Sequence, residues 1–359
     1  MTNQKPVILC STLHDPDGVF LDRLDQVADV VSQGYQCWVV NVSVATDQRI
    51  KEKLASLASK GVVVTETDQA DLLSKDHIEA DHLQSLSCAA DIARKMGLRK
   101  IQYTDGDRII TAASYYPDDL ISMADKSAAL IDDNDGYVNY RRNDEDFFSH
   151  HPPLVQTELP INALYTQVFG IPLDVGSTAH AMSLDVVEEI LRQSPEIVAV
   201  SYPHAKWIII ARSMGIPIKS QEINHVLTFE TPDKYRGQIA ERIDDAFARY
   251  GITRKTSISP YQQLQRDYMM TVGRDSTVSA REWRLRFNTQ RQYLDLLKHH
   301  LGIFGFDEST QAKYDRDLTQ FLGSMERYQQ TIIEALNMTP DEIRASLQSR
   351  LRHRRRKES

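Results

Sequence analysis

The sequence predicts an α/β fold: a mostly parallel sheet with helices on both faces, followed by a helical C-terminal region. Three observations predict it. In the first hundred residues, short apolar runs alternate with amphipathic segments, the βαβ order of a parallel sheet. Those runs are nearly continuous, as strands covered on both faces are, and do not alternate with polar residues. After Pro232 the strand pattern stops and helical periodicity continues to about residue 351.

The elements follow in order. Residues 6–12 (Pro-Val-Ile-Leu-Cys-Ser-Thr) read as the first strand. Residues 20–33 place Leu21, Leu24, Val27 and Val31 on one helical face, and Gly34 is expected to end that helix as a C′ residue. Residues 37–42 form a second strand, 47–59 a helix stopped at Lys60-Gly61, and 62–65 a short third strand. Residues 81–96 form a helix ended by Gly97, and 100–103 the fourth strand. The alternation then loosens. Helices are expected at 118–130, 183–193 and 204–214, and strands at 136–141, within 173–182, and at 217–225. Residues 143–160, polar and carrying Pro152-Pro153, read as a long surface loop. In the C-terminal helices, Trp283, Phe287, Tyr293, Leu294 and Leu297 form an apolar stripe that serves either helix packing or a homodimer. The change of pattern divides the chain into residues 1–232, a helical region 233–351 and a basic tail 352–359, expected to be disordered.

Bulk properties narrow the function. With 359 residues, 41% of them hydrophobic, the chain can bury a large core. It has no apolar run long enough for a membrane span, and its first residues do not resemble a signal peptide. Cys10, Cys37 and Cys88 lack metal-ligand spacing, which suits a reduced, cytoplasmic setting. The net charge of −8 is acidic in the body and basic at the end, where Arg350-Leu-Arg-His-Arg-Arg-Arg-Lys357 stands. An acidic body argues against nucleic-acid binding, which needs a basic footprint. The tail reads as a frayed, solvated end, with an anionic surface as its other possible contact.

The most informative stretch is Tyr103-Thr-Asp-Gly-Asp-Arg108. If the strand stays extended, Asp105 and Asp107 point the same way and form an oxygen-rich edge suited to Mg²⁺ or Mn²⁺. The same residues also suit a plain Asp-Gly turn. Their place matters, because ligands on parallel sheets bind beyond the carboxyl ends of the strands.

Several features then fall in a familiar order: Cys10-Ser11-Thr12 ending the first strand, Asp105-Gly-Asp107 after the fourth, and Asp174-Val-Gly-Ser-Thr178 before an apolar strand. Tyr202-Pro-His-Ala-Lys-Trp207 opens a helix, and His225 follows the late strand. This layout resembles nucleotide-diphospho-sugar glycosyltransferases of the GT-A fold, most closely mannosylglycerate synthase-like enzymes, over residues 5–230. The resemblance implies a GT-A, Rossmann-like catalytic domain at 1–232 that transfers a hexose from a nucleotide-diphospho-sugar to a small acceptor, anionic acceptors included. By the same resemblance Asp107, with Asp105 and His225, would hold the Mg²⁺ or Mn²⁺ that bridges the donor diphosphate. Asp105 would also meet the donor's ribose or sugar. Ser11, Thr12 and Ser43 would lie at the nucleotide, and Lys75 at its phosphates. Arg141, Gly176, Ser177 and Thr178 would face the acceptor.

Two departures from the family pattern stand out. Residues 74–81 (Ser-Lys-Asp-His-Ile-Glu-Ala-Asp) lack the Gly-Lys-Gly seen in many relatives. No Asp or Glu lies at 203–207, where inverting members place the base. Retention of configuration, His204 as the base, or loss of activity would each account for the second. A degenerate, non-catalytic binding module is thus the alternative. A sugar nucleotidyltransferase is a weaker one, because residues 11–18 carry a single glycine.

Overall fold

The computed structural model describes residues 5–67, 77–131, 136–148, 150, 152–195, 197, 202–228 and 280–336. Lys75, the segment 233–279 and the tail 352–359 lie outside the described residues. Seven strands form one sheet: β1 (Val7–Leu13), β2 (Trp38–Val42), β3 (Val62–Glu66), β4 (Lys100–Thr104), β5 (Tyr137–Arg142), β6 (Ala179–Ser183) and β7 (Ile218–Ile223). Their order is β3-β2-β1-β4-β6-β5-β7. All pairings are parallel except those of β6, which runs antiparallel between β4 and β5. This is the mostly parallel sheet that the continuous apolar runs predict.

Helices cover both faces. On one face lie α1 (Leu24–Gly34), α2 (Gln48–Ser56), α4 (Gly106–Tyr115) and α5 (Pro117–Leu130). They bury Leu24, Val27, Ile50, Leu54, Ile109, Ile110, Leu120 and Met123 against Leu9, Trp38 and Val40 of the sheet. On the other lie α3 (His77–Met96), α7 (Pro152–Phe169), α8 (Leu184–Gln193) and α9 (His204–Ser213). Their core joins Leu86, Ala89, Ala93, Ile161, Tyr165, Val187 and Trp207 to Ile8, Ile101 and Tyr103. A short helix, α6 (Asp144–Phe148), follows β5.

The C-terminal helices α10 (Ala280–His299) and α11 (Glu308–Leu336) belong to this second layer. Phe287, Tyr293, Leu294 and Leu297 are buried in its core, and the Tyr165 hydroxyl donates to the Tyr293 carbonyl at 2.7 Å. These members of the apolar stripe are spent on packing inside the chain, so they are not a free face for a second copy.

Two expectations are corrected. The loop predicted at 143–160 is helical: Pro152 occupies the first turn of α7, where a proline costs no hydrogen bond. Leu154, Ile161, Tyr165 and Val168 then recur at helical spacing and are buried. Gly34 is the last residue of α1 and is not among the positive-φ glycines. Its role is close approach, because a Cβ there would lie 3.1 Å from the Ala124 Cβ of α5.

Gly106 matters more. It opens α4 directly under β1, and a Cβ there would come 2.7 Å from the Thr12 carbonyl oxygen and 3.2 Å from the Leu13 Cβ. A backbone oxygen cannot swing aside. Gly106→Ala is therefore expected to destabilise the fold by about 1–3 kcal/mol in urea titration, as overpacking does. Leu294→Ala is expected to cost about 2–5 kcal/mol in one cooperative transition, because that side chain belongs to the shared core. A separate low-stability transition for the C-terminal helices would contradict it.

Candidate functional site

The strand order reverses at β1, which has β2 on one side and β4 on the other. The crevice beyond the carboxyl ends of β1 and β4 is where open α/β sheets bind ligands. Period-two alternation sends Ile101, Tyr103 and Asp105 to the face covered by α3 and α9. From β1, Thr12 shares that face with Ile8 and Cys10. The antiparallel register pairs Tyr103 with His180 and Thr104 with Ala179, so Thr178 falls opposite Asp105.

These residues are connected. The Tyr103 hydroxyl donates to Asp105 Oδ1 at 2.9 Å. With that proton committed, the Thr12 hydroxyl, 2.8 Å away, donates to the tyrosine oxygen. Thr178 has φ 58, the left-handed region that a β-branched residue rarely adopts, and its buried hydroxyl has no hydrogen-bond partner. Burial, with Asp107 nearby, pushes Asp105 up to about 7.

Helices supply the rest of the wall. His82 on α3 and His204 at the start of α9 are 3% and 1% exposed. His82 Nδ1 meets the Ile78 carbonyl at 2.6 Å, and its Nε2 lies 3.8 Å from Asp105 Oδ1. Neither nitrogen of His204 has a hydrogen-bond partner. The rings of His82 and Trp207 lie edge-on to His204, with centroids 5.2 Å away, and His180 stacks on it at the same distance. One donor atom each from His82, Asp105 and His204 lies within 4.8 Å of the others. Beside this cluster, Lys206 of α9 is fully buried and pairs with Glu79 of α3, while also donating to the Ser194 carbonyl at 3.2 Å. Burial lowers the Lys206 pKa, and Glu79 opposes the shift.

Asp105 and Asp107 do not share an extended strand edge. Asp105 is the N-cap residue, and Asp107 lies in the first turn of α4, accepting from the Arg108 backbone N–H at 2.9 Å. The helix forms because Ile109, Ile110, Ala112 and Ala113 carry a buried helical face immediately after the strand. His225 takes a left-handed φ of 58; its N–H donates to Asp146 at 2.8 Å and its Nδ1 meets Asp119 at 3.0 Å. It stacks on Tyr116, so its ring partners are Asp119 and Tyr116 rather than Asp105 or Asp107.

The other sequence-predicted residues are placed as follows. Ser11 is fully buried, with its hydroxyl accepting from the Trp38 indole at 2.9 Å, which closes it to a nucleotide. Ser43 faces His14 at 2.8 Å beside the end of β1. Arg141 reaches Glu222 of β7 at 3.4 Å, in line with their strand register, and this pairing accounts for its charge. The neighbouring Arg142 is the buried cation: it makes two 2.7 Å bonds to Asp174 and one of 2.5 Å to Glu158. Burial works against the Arg142 charge, but Asp174 and Glu158 outweigh it and hold its pKa up. Burial raises Glu158 against the pull of Arg142. Ser177 and Gly176 ride on this network: the Ser177 N–H donates to the Asp174 carbonyl at 3.2 Å, and a Gly176 Cβ would lie 2.5 Å from the Glu158 carboxyl carbon. The group thus anchors residues 174–178, the segment that ends beside Asp105.

Sequence reasoning missed His82 and His180. A signal for His82 exists: it continues the buried stripe of Leu86, Ala89 and Ala93 at helical spacing, an unusual place for an imidazole. His204 was singled out as a base, yet it is buried, and desolvation with two neighbouring histidines holds it well below the usual imidazole range. A general base works best with a pKa near the operating pH, so His204 is a poor one.

Asp105 is more easily protonated in the fold than in the unfolded chain. Its native environment therefore favours the protein below about pH 4, and that advantage is lost as pH rises through about 7. Asp105→Asn is expected to be more stable than the parent at pH 8, by on the order of 2–4 kcal/mol, and little different at pH 4, as read by urea titration at both pH values. Arg142→Met strands two buried carboxylates and is expected to cost about 3–5 kcal/mol in the same measurement.

No protein-family model matches this chain, and no curated protein does. Among solved structures, the chain is similar to glucosyl-3-phosphoglycerate synthase from Mycobacterium tuberculosis. The complex with uridine-diphosphate is 13% identical, with a TM-score of 0.42 over 70% of this chain and 82% of that one. The complex with Mn²⁺, uridine-diphosphate and phosphoglyceric acid is 12% identical, with a TM-score of 0.40 over 70% and 80%.

Proposed function

We propose that the chain is a metal-dependent glycosyltransferase that moves a hexose from a nucleotide-diphospho-sugar to a small acceptor. The observation that carries this reading is Asp105 at the reversal of the strand order, tied through Tyr103 to Thr12 at the end of β1. The crevice there combines the features a sugar nucleotide needs. The N-terminus of α4 opens beside it and attracts phosphate. Thr12 and Ser43 stand at the ends of adjacent strands, where a base and ribose would lie.

The chemistry of the donor set fits a hard cation in part. Asp107 adds to the cost of ionising Asp105, and a divalent ion held there would relieve it. They are the residues that would hold Mg²⁺ or Mn²⁺, whose contribution is to neutralise charge on a departing nucleoside diphosphate. His225 joins that set only by leaving Asp119. Tyr103 orients the Asp105 carboxylate. Retention of configuration follows as the proposed outcome, since residues 203–207 offer no carboxylate base and His204 is a weak one. That same lack favours the second reading, a non-catalytic binding module of the same fold.

Asp107→Ala is expected to abolish both turnover and Mn²⁺-dependent binding of the donor in calorimetry. Undiminished binding would remove Asp107 from the metal role. A thermal-shift screen of UDP-, GDP- and ADP-sugars, with and without Mn²⁺, identifies the base by mass-action stabilisation. Donor binding without transfer or hydrolysis across the panel favours the binding-module reading.

A further inference from the structure

The His82–Asp105–His204 cluster has features that the sugar-nucleotide reading does not use. The His82 Nδ1–H is committed to the Ile78 carbonyl, which fixes the tautomer and turns the lone pair of Nε2 toward Asp105 Oδ1 at 3.8 Å. At that distance the nitrogen and the oxygen are too far apart for a direct hydrogen bond, and a positive species between them, a proton or a metal ion, would be shared by both. A histidine that donates its other nitrogen to a backbone carbonyl is also the arrangement typical of a metal ligand. Independently, His204 is 1% exposed with both ring nitrogens unpartnered, which is unfavourable for a buried polar group. Asp105, with its side chain 23% exposed, is the one member open to the crevice.

We propose that His82, Asp105 and His204 form a binding site for a borderline divalent transition cation, Zn²⁺ in type, with its open side toward the crevice. Two imidazoles and one carboxylate suit Zn²⁺, Co²⁺ or Ni²⁺, whereas Mg²⁺ demands oxygen ligands. Three protein ligands with a free position are the pattern of a metal that meets substrate. The donor atoms lie within 4.8 Å of one another, and tetrahedral Zn²⁺ at about 2.0–2.1 Å from each would draw them to separations of about 3.4 Å. The donor separations would therefore shorten by up to about 1.4 Å on loading. The proposal rests on this geometry and not on glycosyl transfer. It shares Asp105 with the Mg²⁺ or Mn²⁺ assignment but is independent of Asp107.

The test titrates Co²⁺, with its visible absorption, and Zn²⁺ into the chelator-stripped full chain and into His82→Gln, His204→Gln and Asp107→Ala, each checked for a cooperative melt. The expected result is about one Co²⁺ bound per chain, weakened by more than about ten-fold in both histidine variants and unchanged in Asp107→Ala. X-ray absorption of the Co²⁺-loaded parent is expected to show two imidazoles, which decides the question even if a histidine variant fails to fold. No binding by the parent, full binding by His204→Gln, or a cobalt spectrum without imidazole would overturn the proposal. Loss of donor binding in Asp107→Ala with the Co²⁺ spectrum intact would support both readings separately. No donor binding by the parent, with the cobalt site present, would leave this site standing and remove the sugar-nucleotide reading.

Discussion

The arrangement depends on one close approach, that of Gly106 to the Thr12 carbonyl. Because no side chain intervenes, β4 can end and α4 can begin within a single residue under β1. The chain there passes from the sheet to the helical layer that holds α1 and α5. Asp105 stays with the face of Tyr103, and Asp107 departs with the helix. A larger residue would push α4 away from the sheet and open the crevice, at a cost in packing on both sides.

The antiparallel strand β6 is the second constraint. Set between β4 and β5, it delivers His180 opposite Tyr103 and Thr178 opposite Asp105. A parallel strand would have placed its carboxyl end there. Instead, the chain enters β6 at the functional edge, through a segment that needs an anchor. The ion network of Arg142, Asp174 and Glu158 supplies it. A buried network of this kind is poor value as net stability, because desolvation offsets most of the attraction. Its use here is to fix the conformation of residues 174–178, including the strained Thr178.

Much of the sheet was legible because buried parallel strands announce themselves: the apolar runs at 6–12, 37–42, 62–65 and 100–103 match β1 to β4 closely. The helix α7 was not, because Pro152-Pro153 reads as a loop until Leu154, Ile161, Tyr165 and Val168 are recognised as one stripe. At the site, position after a strand end singled out Asp105 and Thr12, and the small-residue segment singled out Thr178. The histidine cluster depends on α3 crossing to meet α9, a tertiary event with no local signature. Arg141 and Arg142 illustrate the same limit. A one-residue alternation sends one toward Glu222 and the other into the core, and composition does not distinguish them.

The buried Lys206–Glu79 pair joins α9 to α3 a short distance from His204 and His82. Charges on the surface are screened within about 8 Å at physiological ionic strength, but a pair this deep is reached by no mobile ion. It is a link between α9 and α3, the helices that carry His204 and His82, that salt does not weaken. Exposed ion pairs such as Arg94 with Glu188 weaken as salt rises, while this buried one keeps its hold on the two helices.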